Sequence, residues 1–327
     1  MRLGTIGSGV IVEQFLDACK KVEGVELVAV YSRTFDKGQS LASKFEISKV
    51  YVDLTEMLKD DAIDAIYVAS PNSLHFEQTK QILEAKKNAI VEKPFTSHDR
   101  ESKILIELAN KNGCYLFEAM SILDMPNLEI LKEKIKLIEP IKWVELSMAQ
   151  YSSKFSAFKA GELPNVFNPA YSGGALMDLN IYHLNFVLAC FGEPISMKYF
   201  PQLHPNGIDT SGLLIMDYPN CKVTSVATKD SYGRPSGVFH GEKGMIEFTD
   251  GINGLRSFTL WQGREKEVIN VQTESNRLIY EVQVFERIIS TKNSIEMNER
   301  LALTQSVMVY LTQLRKEAGL YFTADLQ

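Results

Sequence analysis

The first 120 residues repeat one alternation, and that repeat constrains the fold more than any other feature. Short apolar runs at 2–6, 25–31, 50–52, 65–69, 89–91 and 115–117 are each separated from the next by a segment of helical periodicity. An unbroken apolar run suits a strand covered on both faces, because a half-exposed strand would alternate apolar with polar residues. Strands joined through helices run parallel, which predicts a doubly wound sheet. Ligands of such sheets bind beyond the carboxyl ends of the strands, so the turns after the apolar runs are where functional residues belong.

The turn after the first run is Gly7-Ser8-Gly9, followed by Val10 and Ile11 and a helix with Phe15, Leu16 and Cys19 on one face. Glycines let the backbone approach a pyrophosphate, and amides at a helix amino terminus carry partial positive charge, so this is a phosphate-binding turn in outline. Its third position is Val12 rather than Gly or Ala, which asks for more room between helix and strand. After the second run come Ser32, Arg33 and Thr34, with Lys37 beyond. An NAD-selective site usually has an acid here for the ribose 2′-hydroxyl; a hydroxyl and a guanidinium suit a 2′-phosphate, hence NADP. Arg33 could instead cap the strand or stack on adenine.

Ser70-Pro71-Asn72, with His75 a turn later, follows the fourth run; Asn72 and His75 suit either the nicotinamide half of the dinucleotide or a plain turn. The fifth run ends in Glu92-Lys93-Pro94. Proline forces Lys93 out of the helical region and stiffens the turn, which aims the ammonium group. A simple surface turn has the same composition. Thr96-Ser97-His98-Asp99 then opens another helix.

Beyond residue 120 the pattern changes. After a helix carrying Leu128, Leu131 and Ile135, strand-like runs at 143–148, 213–216, 223–227, 244–248 and 258–261 predict a mostly antiparallel sheet. Helices close the chain, one with Leu278, Val282, Phe285 and Ile289 on a face, the other running from an Asn298 cap to Gly319. This predicts residues 1–120 as a dinucleotide-binding domain and 121–327 as an α+β domain, which the family resemblance given below implies for substrate and dimer contacts. Within the second lies Gly173-Gly174-Ala175-Leu176-Met177-Asp178-Leu179-Asn180-Ile181-Tyr182-His183. At about 100° per residue, Asp178 and Tyr182 are about 40° apart around a helix while His183 is about 140° from Asp178. Asp178 could equally cap the helix, and Tyr182 could be core. Phe155, Phe158, Phe167, Asn168 and Tyr171, just before, suit either a pocket wall or ordinary core.

A formal net charge of −6 leaves no basic footprint for nucleic acid or an anionic membrane. No apolar run approaches the roughly 20 residues of a bilayer span, and the start lacks a signal-peptide pattern. The four cysteines, Cys19, Cys114, Cys190 and Cys221, form no CxxC pair, which suits reduced thiols in the cytoplasm rather than a metal site or disulfide frame.

Gly7-Ser8-Gly9, Ser70-Pro71-Asn72-x-x-His75, Glu92-Lys93-Pro94, Gly173-Gly174-Ala175-Leu176-Met177-Asp178-x-x-x-Tyr182 and 241–246 together resemble the glucose-fructose oxidoreductase, inositol dehydrogenase and rhizopine-catabolism family. The resemblance implies a Rossmann domain followed by an α+β domain whose large open sheet forms a dimer face, and NAD(P)-dependent oxidation or reduction of sugars, polyols, dihydrodiols and related alcohols. It implies Lys93 and Asp178 as active-site residues, a cis bond before Pro94 in some members, and a homodimer or dimer of dimers. Tyr182 aligns with the tyrosine of members resembling glucose-fructose oxidoreductase and dihydrodiol dehydrogenase, where inositol-dehydrogenase-like members have His. Asn180 in place of the usual Gly, and Ser121-Ile122-Leu123-Asp124 where many members have Arg-Phe, touch the implied pocket. Hydride transfer at nicotinamide C4 requires one proton to move, through Tyr182 with a cation stabilising its phenolate, or through Lys93. Asp178 would hold Lys93 or the substrate hydroxyl. A sensor of the same fold that binds dinucleotide without turnover is the alternative, and retention of Lys93, Asp178 and Tyr182 speaks against it.

Overall fold

Every apolar run of the first half forms a strand. The structure, a computed structural model, describes residues 1–326 and falls into two compact units. In the first, β1 (Arg2–Ile6), α1 (Val10–Cys19), β2 (Glu26–Tyr31), α2 (Phe35–Phe45), β3 (Lys49–Tyr51), α3 (Leu54–Leu58), β4 (Ala65–Val68), α4 (His75–Glu84), β5 (Asn88–Glu92), α5 (Asp99–Asn112) and β6 (Leu116–Ala119) follow in turn. The strands pair in parallel in the order β3-β2-β1-β4-β5-β6. The winding reverses between β1 and β4, and there the carboxyl ends of neighbouring strands open a crevice.

Packing explains the valine at the third fingerprint position. Val12 is fully buried, and its Cγ2 lies 3.3 Å from where a Cβ on Gly7 would stand, so the missing side chain of Gly7 supplies the room. Phe15 of α1 stacks on Tyr67 of β4 at 3.7 Å between ring centres, both rings fully buried. Truncating such a ring costs about 3–5 kcal/mol. Within the stretch expected to open α5, His98 is the cap: it accepts from the Arg100 amide at 3.1 Å while Glu101 reaches back to the His98 amide at 3.1 Å.

The second unit contains α6 (Pro126–Ile138), β7 (Ile141–Ala149), α7 (Phe155–Lys159), a π-helical turn over Leu176–Asn180 that runs into α8 (Ile181–Phe191), and then β8 (Ser196–Leu203), β9 (Asp209–Asp217), β10 (Lys222–Thr228), β11 (Ser236–Gly241), β12 (Gly244–Phe248), β13 (Phe258–Gln262) and β14 (Glu265–Ile269). Their sheet has the order β14-β13-β12-β11-β7-β10-β9-β8, antiparallel except where β10 lies parallel to β7. Strands β8, β11 and β14 were not expected from the sequence. The first and last are sheet edges, where the Pro201 of β8 and the charges of β14 are tolerated. In β11, Gly237 leaves the space that the Phe248 ring occupies. One stretch, Pro169–Phe191, is long and apolar enough to cross a membrane, contrary to expectation; 78 % of its most apolar window is buried in the fold, as a core helix would be.

The chain then forms α9 (Leu278–Ser290) and α10 (Ser294–Glu317). A single cut after residue 120 is therefore not how the structure divides: residues 274–308 belong with 1–120, and 309–327 with 121–273. The cause is the apolar face of α9, whose Phe285 meets Phe117 of β6 at 4.8 Å while Asn276 just before the helix donates to the Gln14 carbonyl at 2.8 Å. Ile288 faces inward on that helix and Ile289 is half-buried. Asn298 is not the cap of α10. It lies inside the helix, donating to the Ser294 carbonyl at 2.8 Å, and Asn293 caps by accepting from the Glu296 amide at 3.2 Å.

Candidate active site

At the reversal point of the parallel sheet lies a cavity of about 470 Å³. The end of β1 contributes Ile6, Gly7, Ser8 and Gly9, the end of β2 Tyr31, Ser32, Arg33, Thr34 and Lys37, and the end of β4 Ala69, Ser70 and Pro71, with Leu74 and Gln78 beyond. Gly7 has φ +115°, and a Cβ there would stand 2.6 Å from the Ala69 carbonyl oxygen, so the turn requires glycine. Gly9 differs, since a Cβ there meets nothing within 4 Å. The α1 amino terminus opens at Val10, whose side chain is 73 % exposed, and the amides of its first turn have no intrahelical partner to meet. Two oxygens of the wall, Ser70 Oγ and Gln78 Oε1, are buried without a hydrogen-bond partner among the described residues. Glycine turn, helix amides, the Ser70 hydroxyl and exposed cations together fit a dinucleotide phosphate backbone.

Two turns of this unit are tied together by His75. The ring is fully buried, with Nδ1 2.9 Å from the Pro94 carbonyl and Nε2 2.9 Å from the Ser70 carbonyl. Burial pushes its pKa down, and a neutral imidazole donates to only one of these carbonyls at a time. His75 therefore braces the Ser70 and Pro94 turns from beneath and is not among the residues that line the cavity. The Lys93–Pro94 bond is cis. The next amide, of Phe95, donates to Glu118 Oε1 at 3.2 Å, and Thr304 donates to Glu118 Oε2 at 3.1 Å. Burial drives the Glu118 carboxyl up to about 7. Glu92 points into the sheet, where its Oε1 accepts from the Tyr67 hydroxyl at 2.5 Å. A carboxyl so placed, read with Lys93 as a cofactor-binding residue of that turn, is not part of the cavity wall, and burial pushes its pKa up. Lys93 itself is half-buried.

In the second unit Asp178 sits in the π-turn and Tyr182 on the first turn of α8. A π-turn holds more residues per turn than an α-helix, so the rotation of about 100° per residue does not hold through 176–180. Burial and bonding settle the histidine instead. His183 is fully buried; Ser225 gives its proton to Asn180 at 2.6 Å, so His183 donates from Nδ1 to Ser225 Oγ at 2.6 Å and its Nε2 has no partner among the described residues. Desolvation lowers its pKa to about 3. Tyr182 is 8 % exposed, and the Asp178 side chain 28 %. The π-turn is anchored by Asp209, whose Oδ2 accepts from the Leu176 amide at 2.7 Å and the Tyr199 hydroxyl at 2.6 Å. A Cβ on Gly174, at φ +105°, would overlap the other Asp209 oxygen. Asp178 Oδ2 accepts from the Lys229 ammonium, which also lies 5.5 Å from the centre of the Phe167 ring.

Residues 1–120 match the oxidoreductase family with an NAD-binding Rossmann fold, GFO_IDH_MocA, and residues 138–247 match its C-terminal domain. An uncharacterized oxidoreductase, YgjR, of Escherichia coli strain K12 is 33 % identical over 99 % of this chain and 98 % of that protein. The chain belongs to the GFO/IDH/MocA oxidoreductase family. The scyllo-inositol 2-dehydrogenase (NADP(+)) IolU of Bacillus subtilis strain 168 is 31 % identical over 99 % of both chains. Among solved structures, the 3-ketoreductase KijD10 of Actinomadura kijaniata, in complex with NADP and TDP-benzene, superposes with a TM-score of 0.84 over 98 % of this chain and 99 % of that one; at 17 % identity the likeness is one of fold.

For this family member the structure brings Gly7, Ser8, Gly9, Ser32, Arg33, Thr34, Lys37, Ser70 and Pro71 around one cavity. Val10, Ile11, Asn72, His75, Glu92 and Lys93 are not part of its wall. Lys93 belongs to the first unit, Asp178 and Tyr182 to the second. Sequence reasoning missed Gln78, one helical turn beyond His75 on α4, as well as Lys229 and Asp209. Gln78 was within reach of the spacing argument. The other two lie 51 and 31 residues from Asp178 and carry no local signal.

Proposed function

We propose that this oxidoreductase prefers NADP and transfers hydride between nicotinamide C4 and the carbinol or carbonyl carbon of a sugar, polyol or related alcohol. The observation that carries the cofactor choice is the grouping of Ser32, Arg33, Thr34 and Lys37 in the wall that the Gly7–Gly9 turn also lines. No carboxylate stands among the residues of that wall, and a guanidinium with an ammonium recognises a phosphate where an acid would recognise a hydroxyl. The kinship with IolU, an NADP(+)-dependent inositol dehydrogenase by name, supports both cofactor and substrate class.

The dinucleotide supplies the hydride when bound. The Gly7–Gly9 turn and the first amides of α1 would hold its pyrophosphate, with the Ser70 hydroxyl offering a further donor beside it. Lys93 and Tyr182 are the candidates for moving the proton at the substrate oxygen, and Asp178 for accepting a hydrogen bond from a substrate hydroxyl. The test is a spectrophotometric screen of sugars, polyols, dihydrodiols and dicarbonyls with NADPH/NADP and NADH/NAD. Turnover on an alcohol or carbonyl with NADP(H) favoured is expected; binding of dinucleotide without turnover across the whole panel would sink the catalytic reading.

We also propose a homodimer, or a dimer of dimers, in the cytoplasm. Trp143 and Val226 are exposed on strands of the eight-stranded sheet whose opposite rows are buried, Phe200 of the edge strand β8 lies on the same face, and a second copy is the simplest cover for such a face. The four unpaired cysteines suit a reducing compartment. A monomer by light scattering at micromolar concentration would refute the assembly.

A further inference from the structure

We propose that Lys229 is a positioning residue that holds Asp178 ionised and in one orientation, so that Asp178 acts as a fixed hydrogen-bond acceptor and does not itself carry the proton. The inference rests on the hydride-transfer reading of this site. Its basis is a buried cation that needs a reason: the Lys229 side chain is only 4 % exposed, and buried ammonium groups require a paired anion. The anion is Asp178, bound through Oδ2.

The backbone beneath Lys229 is pinned on both sides, its amide donating to Thr210 at 2.8 Å and its carbonyl accepting from Ser152 at 2.9 Å. Its ammonium lies over Phe167, itself fully buried, which fixes the side chain against an aromatic face. Asp178, in contrast, stays more open to solvent than its partner and sits in the non-α turn that leads into the helix of Tyr182. A cation fixed at one oxygen thus orients a carboxylate whose own backbone segment is irregular. The titratable groups beside this cluster include Asp209 at the start of β9 and Tyr199 of β8, which donates to it. Asp209 lies within electrostatic reach of Lys229 but is committed to Leu176 and Tyr199, so it anchors the turn and does not replace Asp178.

The experiment compares Lys229→Met with Lys229→Arg in the full-length protein. The Asp178 carboxyl is titrated by carbon NMR in aspartate-labelled protein, assigned through Asp178→Asn, and this readout is independent of turnover. In Lys229→Met the Asp178 titration should move up by at least one pH unit, and Lys229→Arg should restore it. For a substrate found in the screen, Lys229→Met should lower kcat/KM by about 10- to 100-fold with its acidic limb displaced toward neutral pH, while NADPH affinity in the first unit stays within twofold. Should the methionine variant fail to fold, Lys229→Gln serves the same comparison. An unchanged Asp178 titration in a folded variant overturns the proposal. If the titration moves but the wild-type protein turns over nothing, the positioning stands and the hydride-transfer reading is what fails.

Discussion

The Lys93 turn and the Asp178 turn carry candidate chemistry of the same kind, yet they belong to different kinds of backbone and differ in what is held. Lys93 stands at the end of a strand in a parallel sheet, and its turn is held by backbone groups: the Pro94 carbonyl on His75 and the Phe95 amide on Glu118. Asp178 stands in a π-turn whose Leu176 amide is likewise held by a distant side chain, Asp209 on β9, but here the functional carboxylate is itself clamped as well, by Lys229 just beyond β10. A brace on the backbone sets where a turn stands, whereas a clamp on the functional side chain also sets its charge and orientation, so that side chain responds directly to its partner. The difference teaches that a strand end is a place fixed by topology, while an irregular helical turn is a place fixed by its neighbours.

The largest effect should come from the reacting groups themselves. Tyr182→Phe is expected to lower kcat by about 10²–10⁴-fold, and Lys93→Met by at least as much, with dinucleotide affinity largely kept. Because both are assigned to one proton, the double variant should lose little beyond the worse single one; fully multiplicative losses in steady-state kinetics would separate their roles. Next in size is Arg33→Ala, expected to weaken NADPH by about ten- to a hundredfold while sparing NADH, since a charge-assisted contact contributes on the order of 1.5–3 kcal/mol. Equal losses measured by fluorescence titration would assign Arg33 to adenine stacking.

Two glycines sharpen the contrast between the turns. Gly174→Ala should destabilise the fold by about 1–3 kcal/mol in denaturant melts and lower turnover with it, because a left-handed position gains a Cβ that overlaps Asp209. Gly9→Ala should leave the melt unchanged and weaken only the dinucleotide, since its surroundings are open and its φ is −85°. If the melts of the two variants moved alike, the reading of Gly174 as a position closed to a side chain by Asp209, and of Gly9 as an open one, would fail.

The smallest catalytic effect belongs to His183→Gln, expected to cost less than tenfold in kcat. Its signature lies in stability. The folded histidine titrates near 3 against an ordinary 6.5, so below 6.5 the unfolded chain takes up a proton that the folded one refuses. Stability is then fully present above 6.5 and is lost as pH falls toward 3, by at most about 1.4 kcal/mol per pH unit. Denaturation midpoints between pH 6.5 and 4 should fall less steeply in His183→Gln than in the parent. Loss of turnover in His183→Gln with activity kept in Tyr182→Phe would reverse the two assignments.

What the sequence determined by itself was whatever repeats locally or sits at a strand end: the parallel sheet, the Gly7–Gly9 turn, the cations after β2 and the Lys93 turn. Each follows from apolar periodicity and from turn chemistry that neighbouring residues define. Tertiary structure decided the rest. Only packing shows that His75 and Glu92 face inward, that His183 belongs to the core, that residues 274–308 return to the first unit, and that Asp178 answers to Lys229. The physical reason is range: a helix period or a glycine turn is set by residues three or four apart, whereas a buried charge is set by whichever partner the fold brings to it.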